Sequence, residues 1–96
     1  MASKEKILSV LKGKRAYLQN HFSVSNIALF GSHVRDDAHE ASDIDILVSL
    51  LEPTFDHYME LKFYLEELLG CRVDLVLENT VKKRLQAVIQ QEAVYV

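Results

Sequence analysis

Residues 28–50 read ALFGSHVRDDAHEASDIDILVSL. Together with Ile27, the first residues of this stretch form a short apolar run that breaks at Gly31, as a buried strand does when it enters a turn. A polar segment follows from Ser32 to Ala41, which we expect to begin as a helical turn and then to loop. From Asp43 to Leu50 hydrophobicity alternates with a period of two, so Ile44, Ile46 and Val48 share one face of a second strand while Asp43, Asp45 and Leu47 share the other. Two carboxylates therefore point the same way out of a core strand.

On the N-terminal side, Ile7, Val10, Leu11 and Leu18 recur at helical spacing among Lys, Arg and Gln, which predicts one amphipathic helix from Lys4 to about Asn20. On the C-terminal side, Pro53 and Thr54 make a helix start, and Tyr64, Leu61, Leu65 and Leu68 supply an apolar stripe ending near Gly70. Arg72 to Leu77 reads as a third strand, with Val73, Leu75 and Leu77 on one face and Asp74 and Val76 on the other. Val81, Leu85, Val88 and Ile89 mark a last helix, and the apolar tail Ala93 to Val96 is either a short edge strand or a docking segment. The strand, crossover helix and strand predict a right-handed parallel pair, while the shorter first link also allows an antiparallel neighbour. We expect an α/β domain over residues 1–96: a small mixed sheet with helices packed on it.

The composition narrows the function. Ninety-six residues suit one domain without room for a second lobe, and a 49% hydrophobic, 26% charged chain is that of a globular protein rather than a disordered one. A net charge of -3 argues against direct nucleic-acid binding, which depends on clustered Lys and Arg neutralising phosphates. The lone Cys71 cannot form an internal disulfide, and neither a leader nor a membrane-spanning run is evident, so a cytoplasmic protein with no membrane contact is expected.

An ionised carboxylate buried without a partner costs several kcal/mol. Asp43, Asp45 and Asp74 lie on strands expected to be neighbours, and the chain offers no matching set of inward basic residues. A divalent cation is the natural counter-charge, and all-oxygen ligands favour Mg²⁺, which is commonly held by one or two carboxylates, water and substrate phosphates. That points to a nucleoside triphosphate. Gly31 lets phosphate oxygens approach the backbone, Ser32 adds a hydroxyl at the start of the expected helical turn, and Arg35 lies one turn further on. We group Gly31, Ser32, Arg35 and Ser42 as nucleotide-binding candidates. Asp43, Asp45 and Asp74 are the catalytic and metal-binding candidates, with Asp74 holding a second ion or drawing a proton from the attacking hydroxyl.

Gly31-Ser32, ten residues, then Asp43-Ile44-Asp45 resembles the GS-x10-DxD motif of the polymerase-beta-like nucleotidyltransferase superfamily, in the version of the minimal nucleotidyltransferases. The segment CRVDLVLENTVKKRLQAVIQQEAVYV is also similar to that family's closing part, with Asp74 at its third carboxylate. Gly, Ser, Asp and Asp at that spacing arise by chance in roughly one chain of this length in a thousand. The resemblance implies the minimal nucleotidyltransferase fold and the role of an antitoxin paired with a HEPN-domain ribonuclease in a hetero-oligomer. Its implied reaction is Mg²⁺-dependent transfer of AMP from ATP to a tyrosine hydroxyl of that toxin, with release of pyrophosphate. A binding-only antitoxin that occludes the toxin around a weak or inactive nucleotide site is the alternative. One departure is plain: the family often has glycine after the arginine, whereas Asp36-Asp37 follow Arg35 here. Negative charge there weakens triphosphate binding unless those side chains face solvent.

Other residues read more simply. His21, His33, His39 and His57 lack metal-ligand spacing and are expected on the surface. Cys71 reads as a small core residue and not a nucleophile, since no paired base is evident. Lys82, Lys83 and Arg84 open the last helix, an end unfavourable for cations, and read chiefly as a solvated face.

Overall fold

The computed structural model describes residues 3–35 and 43–96. Helices α1 (Lys4–Gly13) and α2 (Arg15–Phe22) come first, followed by strand β1 (Val24–Phe30) and the single turn of helix α3 (Ser32–Arg35). Then come β2 (Ile44–Leu50), α4 (Phe55–Leu69), β3 (Val73–Leu77), a 3-10 turn at Glu78–Thr80, α5 (Lys83–Glu92) and β4 (Val94–Tyr95). The sheet order is β3-β2-β1-β4, with β2 and β3 parallel and the other pairs antiparallel, so the expected mixed sheet is present.

The single N-terminal helix expected from periodicity is two helices. Ser3 caps α1 by accepting the Lys6 N–H at 3.2 Å, and the helix ends after Gly13, a weak helix former, where Lys14 takes non-helical dihedrals. Both pieces still bury one stripe: Ile7 and Leu11 from α1, Leu18 and Phe22 from α2. The first strand begins at Val24, earlier than the apolar run suggested, because the polar Ser25 and Asn26 lie in an irregular opening where Ser25 Oγ donates to Ser49 O at 3.1 Å.

The crossover helix follows its sequence signals. Thr54 Oγ1 accepts the His57 N–H at 3.1 Å, and Gly70 closes the helix at φ 72°, in the left-handed region that glycine reaches without penalty. Leu61 and Leu65 of α4 meet Ile44, Ile46 and Val48 of β2, Ile27 and Leu29 of β1, and the buried stripe of the first two helices. Fully burying each such side chain contributes about 1.5–3 kcal/mol, which makes this face of the sheet the core. Along the outer side of β3, Glu66 Oε2 accepts the Val73 N–H at 3.1 Å, Tyr58 Oη donates to Leu75 O at 2.7 Å and Thr80 Oγ1 donates to Leu77 O at 2.8 Å.

The opposite face carries Asp45 and Asp74, and further along β2 Leu47 lines a small cavity with Val81 and Ile89. Of the two readings of the apolar tail, the edge strand holds: Val94 and Tyr95 pair with Leu29 and Ala28, and the Val96 N–H reaches Ile27 O at 3.1 Å. Among the described residues no helix is long and apolar enough to cross a membrane.

Candidate active site

The registers of the two strand pairs assemble the site. Antiparallel pairing sets Phe30 opposite Asp45, so the turn that begins at Gly31 lies beside the start of β2. Parallel pairing sets Asp45 opposite Asp74, and directly paired residues share a face. Three segments distant in sequence thus meet at one end of the sheet, on the face away from the main core.

Gly31 takes φ 81°, and a side chain there would collide with the Asp45 carboxylate. The turn is held within itself by Gly31 O, which accepts the Val34 N–H at 3.0 Å and the Arg35 N–H at 3.2 Å. Asp45 is half-buried, accepts the Ser32 backbone N–H and shares a hydrogen bond with the Asp74 carboxyl. Burial, then the Asp74 charge and that hydrogen bond, push Asp45 up to about 6, with a further push from Asp43; the Ser32 N–H opposes them. Asp43 and Asp74 are exposed. The site is an inner acid flanked by two outer ones, and the inner one is held partly protonated near neutral pH for want of positive charge.

This is the electrostatic setting that a hard divalent cation relieves, and the donors are all carboxylate oxygens. Among the described residues, no group of three or more His, Cys, Asp or Glu side chains forms a ready ligand set.

Arg35 is half-exposed, and its Nη1 bonds Glu92 Oε1 at 2.7 Å. The same oxygen accepts the Gly31 N–H at 2.6 Å. The backbone donors read from the sequence as open to phosphate are therefore engaged: Gly31 by Glu92 and Ser32 by Asp45. The Ser32 side chain is half-buried, and the Arg35 side chain, held by the same Glu92 oxygen, is 51% exposed. Ser42, Asp36 and Asp37 lie outside the described residues.

The expectation of surface histidines fails at His33, which is only 5% exposed, with Nδ1 enclosed and unpartnered. The turn folds that ring inward against the sheet instead of presenting it to solvent. Glu92 was not singled out from the sequence, although a signal was there. It is an acid in the last turn of a helix, where the dipole disfavours negative charge and a partner is needed. Cys71 lies half-buried before β3, and burial pushes its thiol up, in keeping with an unreactive cysteine.

Known proteins resemble the chain in sequence and in fold. The family model for the nucleotidyltransferase domain matches residues 11–96. The chain is 43% identical over 97 aligned residues to the protein adenylyltransferase MntA of Thermococcus cleftensis, covering 100% of this chain and 98% of that one. A solved structure described as a minimal nucleotidyltransferase superposes with a TM-score of 0.83 at 33% identity, covering 97% of this chain and 95% of that chain. A chain from a complex described as a tri-AMPylated Shewanella oneidensis HEPN toxin with its MNT antitoxin superposes with a TM-score of 0.60 at 25% identity, covering 96% of this chain and 66% of that chain.

Proposed function

The chain belongs to the nucleotidyltransferase domain family, and we propose that it transfers AMP from ATP to a tyrosine hydroxyl of a partner HEPN-domain ribonuclease toxin in the cytoplasm, silencing it. The observation that carries this reading is the cross-strand pair Asp45–Asp74 beside the Gly31–Ser32 turn, with Asp45 pushed up to about 6 by burial and by its acidic neighbours. Half-burying one acid beside two others is costly for a scaffold and is explained by a function that supplies the missing positive charge.

In the reaction the tyrosine oxygen attacks the α-phosphorus of ATP. A new P–O bond forms, the bond to the β-phosphate oxygen breaks, and pyrophosphate leaves while the hydroxyl proton is lost to a base. Asp43, Asp45 and Asp74 would hold Mg²⁺, which when bound neutralises charge on the phosphates and steadies the attacking and leaving oxygens. Asp74, exposed at the rim, would also take the hydroxyl proton. Ser32 and Arg35 hold the phosphate tail, and Gly31 keeps the turn pressed against Asp45. Serving an acceptor presented by another protein suits a catalytic strand pair whose outer two acids are exposed.

The test is intact-mass analysis of the toxin after incubation with this protein, ATP and Mg²⁺, beside an Asp43→Asn, Asp45→Asn variant. Mass gains in AMP units on a tyrosine, absent with the variant, are expected. Silencing of the nuclease without any gain, by wild type and variant alike, would replace the enzyme with an occluding antitoxin.

A further inference from the structure

Glu92 Oε1 touches the site from outside the motif. It accepts the Gly31 N–H at 2.6 Å and Arg35 Nη1 at 2.7 Å, so one oxygen clamps both ends of the Gly31–Arg35 turn. Position explains why it can. Glu92 ends α5, where the Ala93 N–H closes the helix on Ile89 O at 2.8 Å, and two residues later Val94 pairs with Leu29 of β1. The backbone carrying Glu92 is thereby tied to the strand that leads into Gly31. Nothing in α5 itself favours a carboxylate at this end, since the helix dipole opposes it. The contact serves the turn, not the helix.

The geometry points to Glu92 as a positioning residue for the nucleotide site: it fixes the Gly31 backbone and aims the Arg35 guanidinium at the phosphate tail. This rests on the nucleotidyltransferase reading of the turn. A carboxylate that merely stood in for phosphate would have to leave on binding, abandoning the part-buried Gly31 N–H while its own backbone stays locked by the β4 pairing.

The experiment is calorimetric titration of ATP with Mg²⁺ into the full chain, for wild type, Glu92→Ala, Glu92→Gln, Arg35→Ala and the Glu92→Ala, Arg35→Ala double variant. Thermal unfolding and amide exchange at Gly31 are followed in parallel. Loss of a charge-assisted contact of this kind should weaken ATP binding roughly ten-fold in Glu92→Ala. Glu92→Gln keeps an oxygen for the Gly31 N–H but no charge for Arg35, and falls between Ala and wild type. Because Glu92 acts through Arg35, the double variant should bind only slightly worse than the weaker single one. In transfer assays KM for ATP rises while KM for the protein acceptor holds. ATP affinity at or above wild type in Glu92→Gln, which should fold even if Glu92→Ala does not, overturns the proposal. A wild-type chain that binds no ATP, with Gly31 exchange protection lost in Glu92→Ala and kept in Glu92→Gln, refutes the transferase reading and leaves the clamp on the turn standing.

Discussion

The α-carbon of Gly31 packs directly against the carboxylate of Asp45, with no room for a β-carbon between them. The positive φ of Gly31 and the closeness of Asp45 are two independent demands for glycine. Gly70 carries only the first, since a β-carbon there meets nothing within 4 Å. Gly70→Ala should therefore cost roughly 1 kcal/mol of stability through backbone strain alone and leave AMP transfer intact. Gly31→Ala should pay the same strain, displace Asp45 and abolish detectable transfer. Thermal melts with transfer assays on both variants check this; a transfer-competent Gly31→Ala chain would show that the contact is not required.

The raised pKa of Asp45 gives a pH dependence with a definite sign. Asp45 binds its proton more tightly folded, at about 6, than in the ordinary range of 3.8, so the folded state holds more protons than the unfolded chain between those values. Its contribution to stability is complete below about pH 4 and is lost as pH rises through about 6. Asp45→Asn removes this slope and should raise the melting temperature of the metal-free protein at pH 7 while abolishing transfer. The same proton competes with a cation, so the thermal stabilisation given by Mg²⁺ with ATP should fade below about pH 6 in the wild type. Melting curves across pH 4–8, with and without Mg²⁺ and ATP, measure both effects.

Asp74 contributes both charge and a hydrogen bond to the shift of Asp45. Asp74→Asn should move Asp45 back toward the ordinary carboxylate range, though only part of the way, since burial is the larger cause. Carboxyl-resolved NMR titration of Asp45 in the variant reads this directly. Transfer should fall at least ~100-fold if Asp74 serves as base or ligand. An Asp45 midpoint unchanged by Asp74→Asn would mean that the two acids do not interact as their pairing suggests.

Much of this was legible because the decisive signals are local. Period-two alternation assigned the faces of Asp45 and Asp74, and the Gly31 and Gly70 breaks placed the ends of β1 and α4. What escaped depended on contacts distant in sequence or on weak local breaks. The stripe of Ile7, Leu11 and Leu18 continues through the kink at Lys14, so periodicity alone could not reveal two helices. His33 looks like a loop residue until the sheet closes over it, and Glu92 lies 61 positions from the Gly31 amide it engages. No residue pattern within either segment encodes that pairing.

The outer side of β3 is a sheet edge whose polar groups are covered by side chains, not by another strand. Glu66 takes the Val73 N–H, Tyr58 reaches Leu75 O and Thr80 reaches Leu77 O. An uncovered edge invites pairing with another chain, so these three side chains should keep the protein from self-associating through β3. Tyr58→Phe removes only a hydroxyl and should cost about 1 kcal/mol. Tyr58→Phe, Glu66→Leu and Thr80→Val together should lower the melting temperature further and add a concentration-dependent dimer or larger species in light scattering. A triple variant that melts lower but remains monomeric at high concentration would show that α4 shields the edge by bulk alone, and that the hydrogen bonds serve stability only.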